Sequence, residues 1–460
     1  MRRAAKKTSA TSDDLVMTED LHLWGRRLLM LAERAGADEA EVFGLQSRSI
    51  DVDLRRDRVD MASESFSRGL GLRAVLKGAV GFSSTSDLSK LEMVAESAVR
   101  AARARGSDEK WRYLPFPEEV SQPQEVYDPA LAEMGPEDCL GLSATLIEGA
   151  GEVLGAEPVS GGVSIVWGSE ILMNSNGIEV DEMGTAFSAY LETVAKGEDG
   201  TVATGYDFVN SRTSIPDLAD LGRSACDLAK RSVGGVRGES GTAEVLLAPM
   251  AFADILGNAF VPSILGDLVQ KGRSSLAGRI GDPVAGEDIS IVDDGLFRGG
   301  MATSSFDGEG VPSQKTAVVE RGFLSSFLYD TYTAGREATA AKSTGNADRP
   351  GYSGIPRIGT SNLILSSKSP KDLLAETERG YLVTGVIGAH TSNPVSGDFS
   401  VEARNVFSVE DGVALRPIRS LMLAGNVFDL LGSMKAGSDP RMVGSVIVPT
   451  AKVEMKVVGS

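Results

Sequence analysis

The chain has 460 residues, with 46 Lys plus Arg against 64 Asp plus Glu and a formal net charge of −18. At roughly 100–200 residues per domain, that length calls for two or three packed units, and 42% hydrophobic with 24% charged residues excludes disorder over most of the chain. The negative surplus repels a phosphate backbone and no apolar run approaches the ~20 residues that span a bilayer, so neither nucleic acid nor a membrane is an expected partner.

Residues 1–18 begin MRRAAKKTSATSDD, which is basic but has no apolar stretch behind it; they read as a disordered basic leader and not as a secretory signal. In EDLHLWGRRLLMLAERAG, residues Leu21, Trp24, Leu28 and Leu31 recur at helical spacing, with Gly36 placed to end the helix. Ile50, Val52 and Leu54 then alternate with polar residues, the period of a strand with one wet face, and Lys77-Gly78 marks a hairpin turn to the next strand. KLEMVAESAVRAARARG returns to helical spacing.

Residues 106–136 contain five prolines and little periodicity, so an extended connection on the surface is expected. A helix follows Pro136. Between residues 161 and 209, β-rich runs broken by Asn-Ser-Asn-Gly predict another antiparallel sheet, and PDLADLGRSACDLAKRSVGG predicts the helix that closes the first half. Beyond residue 240 the composition turns to Gly, Ser and short strands. One apolar helical stretch there, MAFADILGNAFVPSILGDLVQKG, is interrupted by Pro262, which predicts a kink or two short helices. The expected fold class is α+β in two domains: an N-terminal helix-and-sheet domain over 19–238 and a largely antiparallel, sheet-dominated domain over 239–460.

Chemistry-bearing residues are scarce. His22 and His390 are the only histidines, which excludes a conventional zinc site built from two or three imidazoles within one chain. Cys139 and Cys226 are too few for a disulfide framework, fit a reducing, cytoplasmic compartment, and read as packing residues on helices. Gly69-x-Gly71 does not open a helix and so is no dinucleotide fingerprint. The one dense polar constellation is GVIGAHTSNPVSGDFSVEA, which gathers His390, Thr391, Ser392, Asn393, Asp398, Ser400 and Glu402. Three readings are open for it. His390 with Asp398 or Glu402 could be an acid–base pair; the small polar residues could contact a peptide; or Asn393-Pro394 and Ser396-Gly397-Asp398 could simply be turn chemistry.

Three segments, GLGLRAVLKGAVGFSSTSD, QKGRSSLAGRIGDPV, and GVIGAHTSNPVSGDFSVEARNVFSVEDG followed by PIRSLMLAGNVFDLL, resemble the TldD/PmbA family in the right order along the chain. That family is described as modulators of DNA gyrase and as peptide-processing metalloproteases. Its TldD branch carries His-Glu-x-x-x-His on a helix just before the QKGRSSLAGRIG segment, and a C-terminal Cys completes the zinc site. Placed without gaps, the ligand positions fall here on Gly257, Asn258 and Pro262, and SMKAGSDPRMVGSVIVPT offers no thiolate. The resemblance is therefore to the PmbA (TldE) branch. It implies a non-catalytic subunit that pairs with a TldD-type chain, with zinc in that partner chain and none in this one. Unfolded peptides would be the substrates, contacted here through His390, Thr391, Ser392, Asn393, Asp398 and Ser400. A self-contained hydrolase using His390, and a protein-binding gyrase modulator, are the alternatives.

Overall fold

The computed structural model describes residues 12–337 and 341–459. The first half is built on one antiparallel sheet of six strands, β1 (Glu39–Arg55), β2 (Arg58–Leu76), β3 (Ala79–Thr85), β4 (Ala156–Asn174), β5 (Glu179–Lys196) and β6 (Val202–Ser211), in the order β3-β2-β1-β4-β5-β6. Lys77 and Gly78 both take positive φ, the conformation that matches a tight hairpin to the twist of β2 and β3. Five helices accompany the sheet: α1 (Ser12–Arg34), α2 (Leu91–Arg105), α3 (Pro129–Glu133), α4 (Pro136–Gly151) and α5 (Leu218–Arg231). α1 begins at Ser12, within the stretch expected as a leader, and residues 1–11 lie outside the described residues.

One face of the sheet is covered in two blocks. Leu21 and Leu28 of α1 and Val94 and Val99 of α2 pack on Leu70 and Leu72, while Leu146 of α4 and Leu221 of α5 pack with Ile50, Val52, Ile165 and Phe187. α4 and α5 cross closely because Gly149 has no side chain; a Cβ there would sit 2.1 Å from the Ala219 carbonyl oxygen.

Two sequence expectations are corrected. Residues 161–209 do not form a sheet of their own: β4 pairs with β1 from Glu41↔Asn174 to Arg55↔Ser160. Period-2 alternation identifies a strand but not its partner, and this pairing joins segments on either side of the Pro-rich connection. Nor is the second face of β1 wet throughout. Phe43 packs with Leu172, Ile178 and Phe306, so the C-terminal half covers this part of the sheet.

That half contributes β7 (Val236–Arg237), β8 (Gly241–Leu247), α6 (Pro249–Ile255), a π-helical turn (Leu256–Phe260), α7 (Val261–Ile264) and α8 (Gly266–Gln270). There follow β9 (Ile289–Asp294), β10 (Lys315–Glu320), β11 (Phe323–Leu324), α9 (Thr331–Arg336), β12 (Ala347–Asp348), β13 (Arg357–Ile358) and β14 (Leu363–Ser367). The last part holds β15 (Arg379–Ile387), β16 (Asp398–Glu410), β17 (Val413–Arg419), β18 (Leu421–Asn426), α10 (Val427–Ser433), β19 (Lys435–Ala436), β20 (Arg441–Val443), β21 (Val446–Val448) and β22 (Ala451–Gly459). The pairings β15 to β8, β8 to β22, β22 to β18, β18 to β16 and β16 back to β15 close a ring, which leaves these strands no free edge along their paired lengths. The residues Val245, Leu247, Val383, Val401 and Leu423 of that ring share one core with Phe252, Leu256 and Phe260 of the broken helix. A second sheet, ordered β11-β10-β9-β14-β21-β20, flanks it. No helix among the described residues is long and apolar enough to cross a membrane.

Candidate functional site

The broken helix sets the geometry. Pro262 has no N–H to donate and its ring crowds the carbonyl four residues back, so a regular α-helix cannot run through it. The chain answers with a π turn, in which the Val261 N–H reaches the Leu256 carbonyl five residues back. Gly257 and Asn258 lie on this turn; an added Cβ on Gly257 would meet nothing within 4 Å, and the Asn258 amide donates to the Asp254 carbonyl at 2.9 Å.

The singled-out segments of the C-terminal half converge here, whereas GLGLRAVLKGAVGFSSTSD lies in β2 and β3 of the first sheet. Ser263 and Ser274 join the helix to the loop after α8, since the Ser274 hydroxyl donates to the Ser263 carbonyl at 2.7 Å. The Ser275 N–H donates to Val395 O, tying that loop to the one between β15 and β16. From the other side, Phe428 of α10 meets Phe260 edge-on with ring centres 6.3 Å apart. Helix, mid-chain loop, 388–397 loop and C-terminal helix therefore form one cluster.

Within the 388–397 loop, residues 389–391 form a single 3-10 turn whose entry residue, Gly388, has φ +92°. His390 is exposed on that turn. Thr391 donates its hydroxyl to Gly388 O at 2.7 Å, and Asn393 caps a turn by accepting from the Val395 N–H at 3.0 Å. Ser392 is 9% exposed, with its hydroxyl buried and unpaired. Asp398 accepts from the Ser396 hydroxyl at 2.6 Å and the Asn426 amide at 2.9 Å, and these bonds hold its pKa below the ordinary carboxylate value. Ser400 and Glu402 are exposed on β16. Among the described residues no hydrogen bond or ion pair joins His390 to Asp398 or Glu402, so the acid–base pair considered from sequence does not form. What the loop presents outward is His390 flanked by the exposed apolar side chains Ile387 and Val395.

His22 lies elsewhere, on α1, with Nδ1 3.0 Å from Glu179 Oε1. Cys139 and Cys226 are buried residues of α4 and α5 themselves, and burial lifts both thiols to about 11, which removes them as nucleophiles. The donor set does not fit a catalytic metal. The turn offers Gly257, Asn258 and Pro262, and no group of three or more His, Cys, Asp or Glu among the described residues is placed to hold an ion.

Family models match the chain in three consecutive pieces, described as PmbA/TldA metallopeptidase domain 1 over residues 40–102, the central domain over 129–233 and the C-terminal domain over 240–459. The chain belongs to the PmbA/TldD family. An uncharacterized protein of Methanocaldococcus jannaschii is 33% identical over 432 residues, covering 94% of this chain and 99% of the relative. The metalloprotease PmbA of Escherichia coli O157:H7 is 25% identical, covering 92% of this chain and 93% of its own. The crystal structure of TldE from Thermococcus kodakarensis superposes with a TM-score of 0.87 at 26% identity, over 95% of this chain and all of that one. Relatives within the PmbA/TldD family bear metalloprotease names, which implies a metal cofactor in the family.

Sequence reasoning missed the buried charges between the two halves. Arg73 of β2 bonds Glu41 at 2.6 Å and Glu309 at 2.7 Å, and Arg349 also pairs with Glu41. Glu41 and Arg73 each alternate with apolar neighbours, Ala40 and Val42 or Leu72 and Ala74, so each reads as a residue on the solvated face of a strand.

Proposed function

We propose that this chain is the TldE-type subunit of a heterodimeric peptidase, contributing peptide-contacting surface while a homologous TldD-type chain supplies the zinc. The reading rests chiefly on the π turn. Gly257, Asn258 and Pro262 occupy the positions where the TldD branch would place His, Glu and His, and none of them can ligate zinc or activate a water. The 388–397 loop beside it carries His390, Thr391, Ser392 and Asn393 next to exposed Ile387 and Val395, and Asp398 and Ser400 open the strand that follows. Such a surface suits an extended chain, whose backbone bonds to loop and strand groups and whose side chains meet small apolar patches. Unfolded peptides are the substrate class and the cytoplasm the compartment in this reading.

The test is co-expression with a TldD-type chain from the same genome, followed by metal analysis of each chain and of the complex. Zinc should be found with the partner and the complex, and cleavage of an unfolded test protein should need both chains and stop with a chelator. Equal activity from the partner alone, or one zinc bound per copy of this chain, would remove the basis for the assignment.

A further inference from the structure

A second cavity, of about 370 Å³, lies between the two halves of the chain and shares no residue with the loop site. Phe43, Leu45, Met301 and Phe306 give it apolar walls, and Glu170 and Glu182 face it from directly opposed positions on β4 and β5. Pockets at domain interfaces with apolar walls and a few polar groups are the usual form of a small-molecule site.

The hydrogen bonds single out one group. Glu182 accepts from the Ser304 hydroxyl and from the Ser305 N–H at 3.1 Å. Asp307 accepts three backbone N–H groups, from Glu309 at 2.9 Å and from Val311 and Ala347 at 3.0 Å. The nearby cations are committed too. Arg212 donates to the carbonyls of Thr185, Met301, Thr303 and Val126, and Arg349 donates to Glu41, Gly308 O and Gly354 O. Glu170 makes no hydrogen bond or ion pair with any described residue. Glu170 is half-buried and lines the cavity, and the burial it has, with Glu182 beside it, lifts its pKa to about 7 against the opposing influence of Arg212 and Arg349. A carboxylate that lines a cavity without a protein partner leaves its oxygens available to accept hydrogen bonds from a ligand there.

We propose that this cavity binds a small primary ammonium compound with an apolar body, the cation seated on Glu170 with Glu182 as second acceptor and the hydrocarbon against Phe43, Leu45, Met301 and Phe306. An ammonium needs only a few oxygen acceptors on one side, which these carboxylates supply, whereas a metal ion needs a ring of ligands that the cavity does not offer. The site requires neither the partner chain nor zinc.

The experiment titrates the purified full chain with isoamylamine and with its neutral isostere isoamyl alcohol, by calorimetry or ligand-observed NMR. The amine should bind one per chain and at least about tenfold more tightly than the alcohol, as a charge-assisted contact to one carboxylate requires. Because an alkylamine stays charged while Glu170 loses its proton, amine affinity should rise several-fold between about pH 6 and pH 8. Glu170→Gln should abolish the preference for amine over alcohol, and Glu182→Gln should weaken it. No binding of the amine, equal affinity for the two probes, or amine binding that survives Glu170→Gln would overturn the proposal. Should Glu170→Gln fail to fold, the pH dependence in the unaltered chain decides, and a flat profile overturns it.

Discussion

Arg73→Met tests what holds the two halves of the chain together. Arg73 is 5% exposed at its side chain, Glu41 0% and Glu309 1%, so removing the guanidinium takes a buried partner from both carboxylates. Arg349 still neutralises Glu41, while Glu309 keeps only the Thr331 N–H at 2.9 Å. Burial works against the charge of Arg73, yet Glu41 and Glu309 outweigh it and hold its pKa above the ordinary value. Breaking a buried pair from one side costs about 3–5 kcal/mol, against roughly 0–1 for an exposed pair. Methionine fills similar space, so the loss is electrostatic and not a cavity effect. Urea unfolding followed by tryptophan fluorescence reads it directly, because Trp111 lies under the Arg73 guanidinium at 5.8 Å. Adding Glu309→Gln to Arg73→Met should recover part of the loss, since it removes the stranded charge. A cost below about 1 kcal/mol, or no recovery in the double variant, would refute the clamp.

His390→Ala should leave complex formation intact and weaken peptide turnover by the reconstituted pair at most several-fold; a fall of ~10²–10⁴, the range for losing a general acid or base, would return His390 to catalysis. Burial raises the pKa values of Asp293 to about 6, Glu170 to about 7 and Asp307 to about 8. Folding therefore takes up protons: the stabilising contribution is complete below the unfolded carboxylate range and is lost as pH rises through 6 to 8, so the thermal midpoint should fall across that window. Glu170→Gln should flatten part of the slope, and a midpoint that rises there would contradict the assignment. Cys139 and Cys226, held at about 11, should resist a thiol reagent at pH 8 in the native chain and react on unfolding.

Local structure was legible where a residue's own chemistry decides it. Lys77-Gly78 turns, Asn-Ser-Asn-Gly connects β4 to β5, Pro136 opens α4, and Pro262 breaks its helix. The pairing of β1 with β4 was not legible, because alternation fixes which way Ile50 and Ile165 point and leaves open which strand each lies beside. The same limit hid Glu41 and Arg73. Both look solvated until Glu309 and Arg349, far along the chain, arrive to neutralise them. The 388–397 loop was found as a constellation, but whether its polar groups face a ligand or one another depended on hydrogen bonds that spacing does not carry; Asp398 spends its oxygens on Ser396 and Asn426.

The π turn changes which side chains of this helix share a face. Residues five apart on a regular α-helix, at 3.6 per turn, point about 140° away from each other. A turn bonded from residue 261 back to residue 256 widens the coil and brings positions 257 and 262 toward one face. In this chain the two positions that share that face are Gly257 and Pro262, neither of which carries a ligating group. Substituting Gly257→His, Asn258→Glu and Pro262→His together should be sterically tolerated at Gly257, where the space is open, but should not create a retained zinc site. Two imidazoles leave a tetrahedral ion short of ligands, and α10 with the segment after it brings no thiolate. After dialysis the triple variant should hold well under one zinc per chain and cleave nothing on its own. One retained zinc with chelator-sensitive peptidase activity would mean that the remaining ligand is already in place, and that the missing helix side chains alone separate this chain from a self-sufficient enzyme.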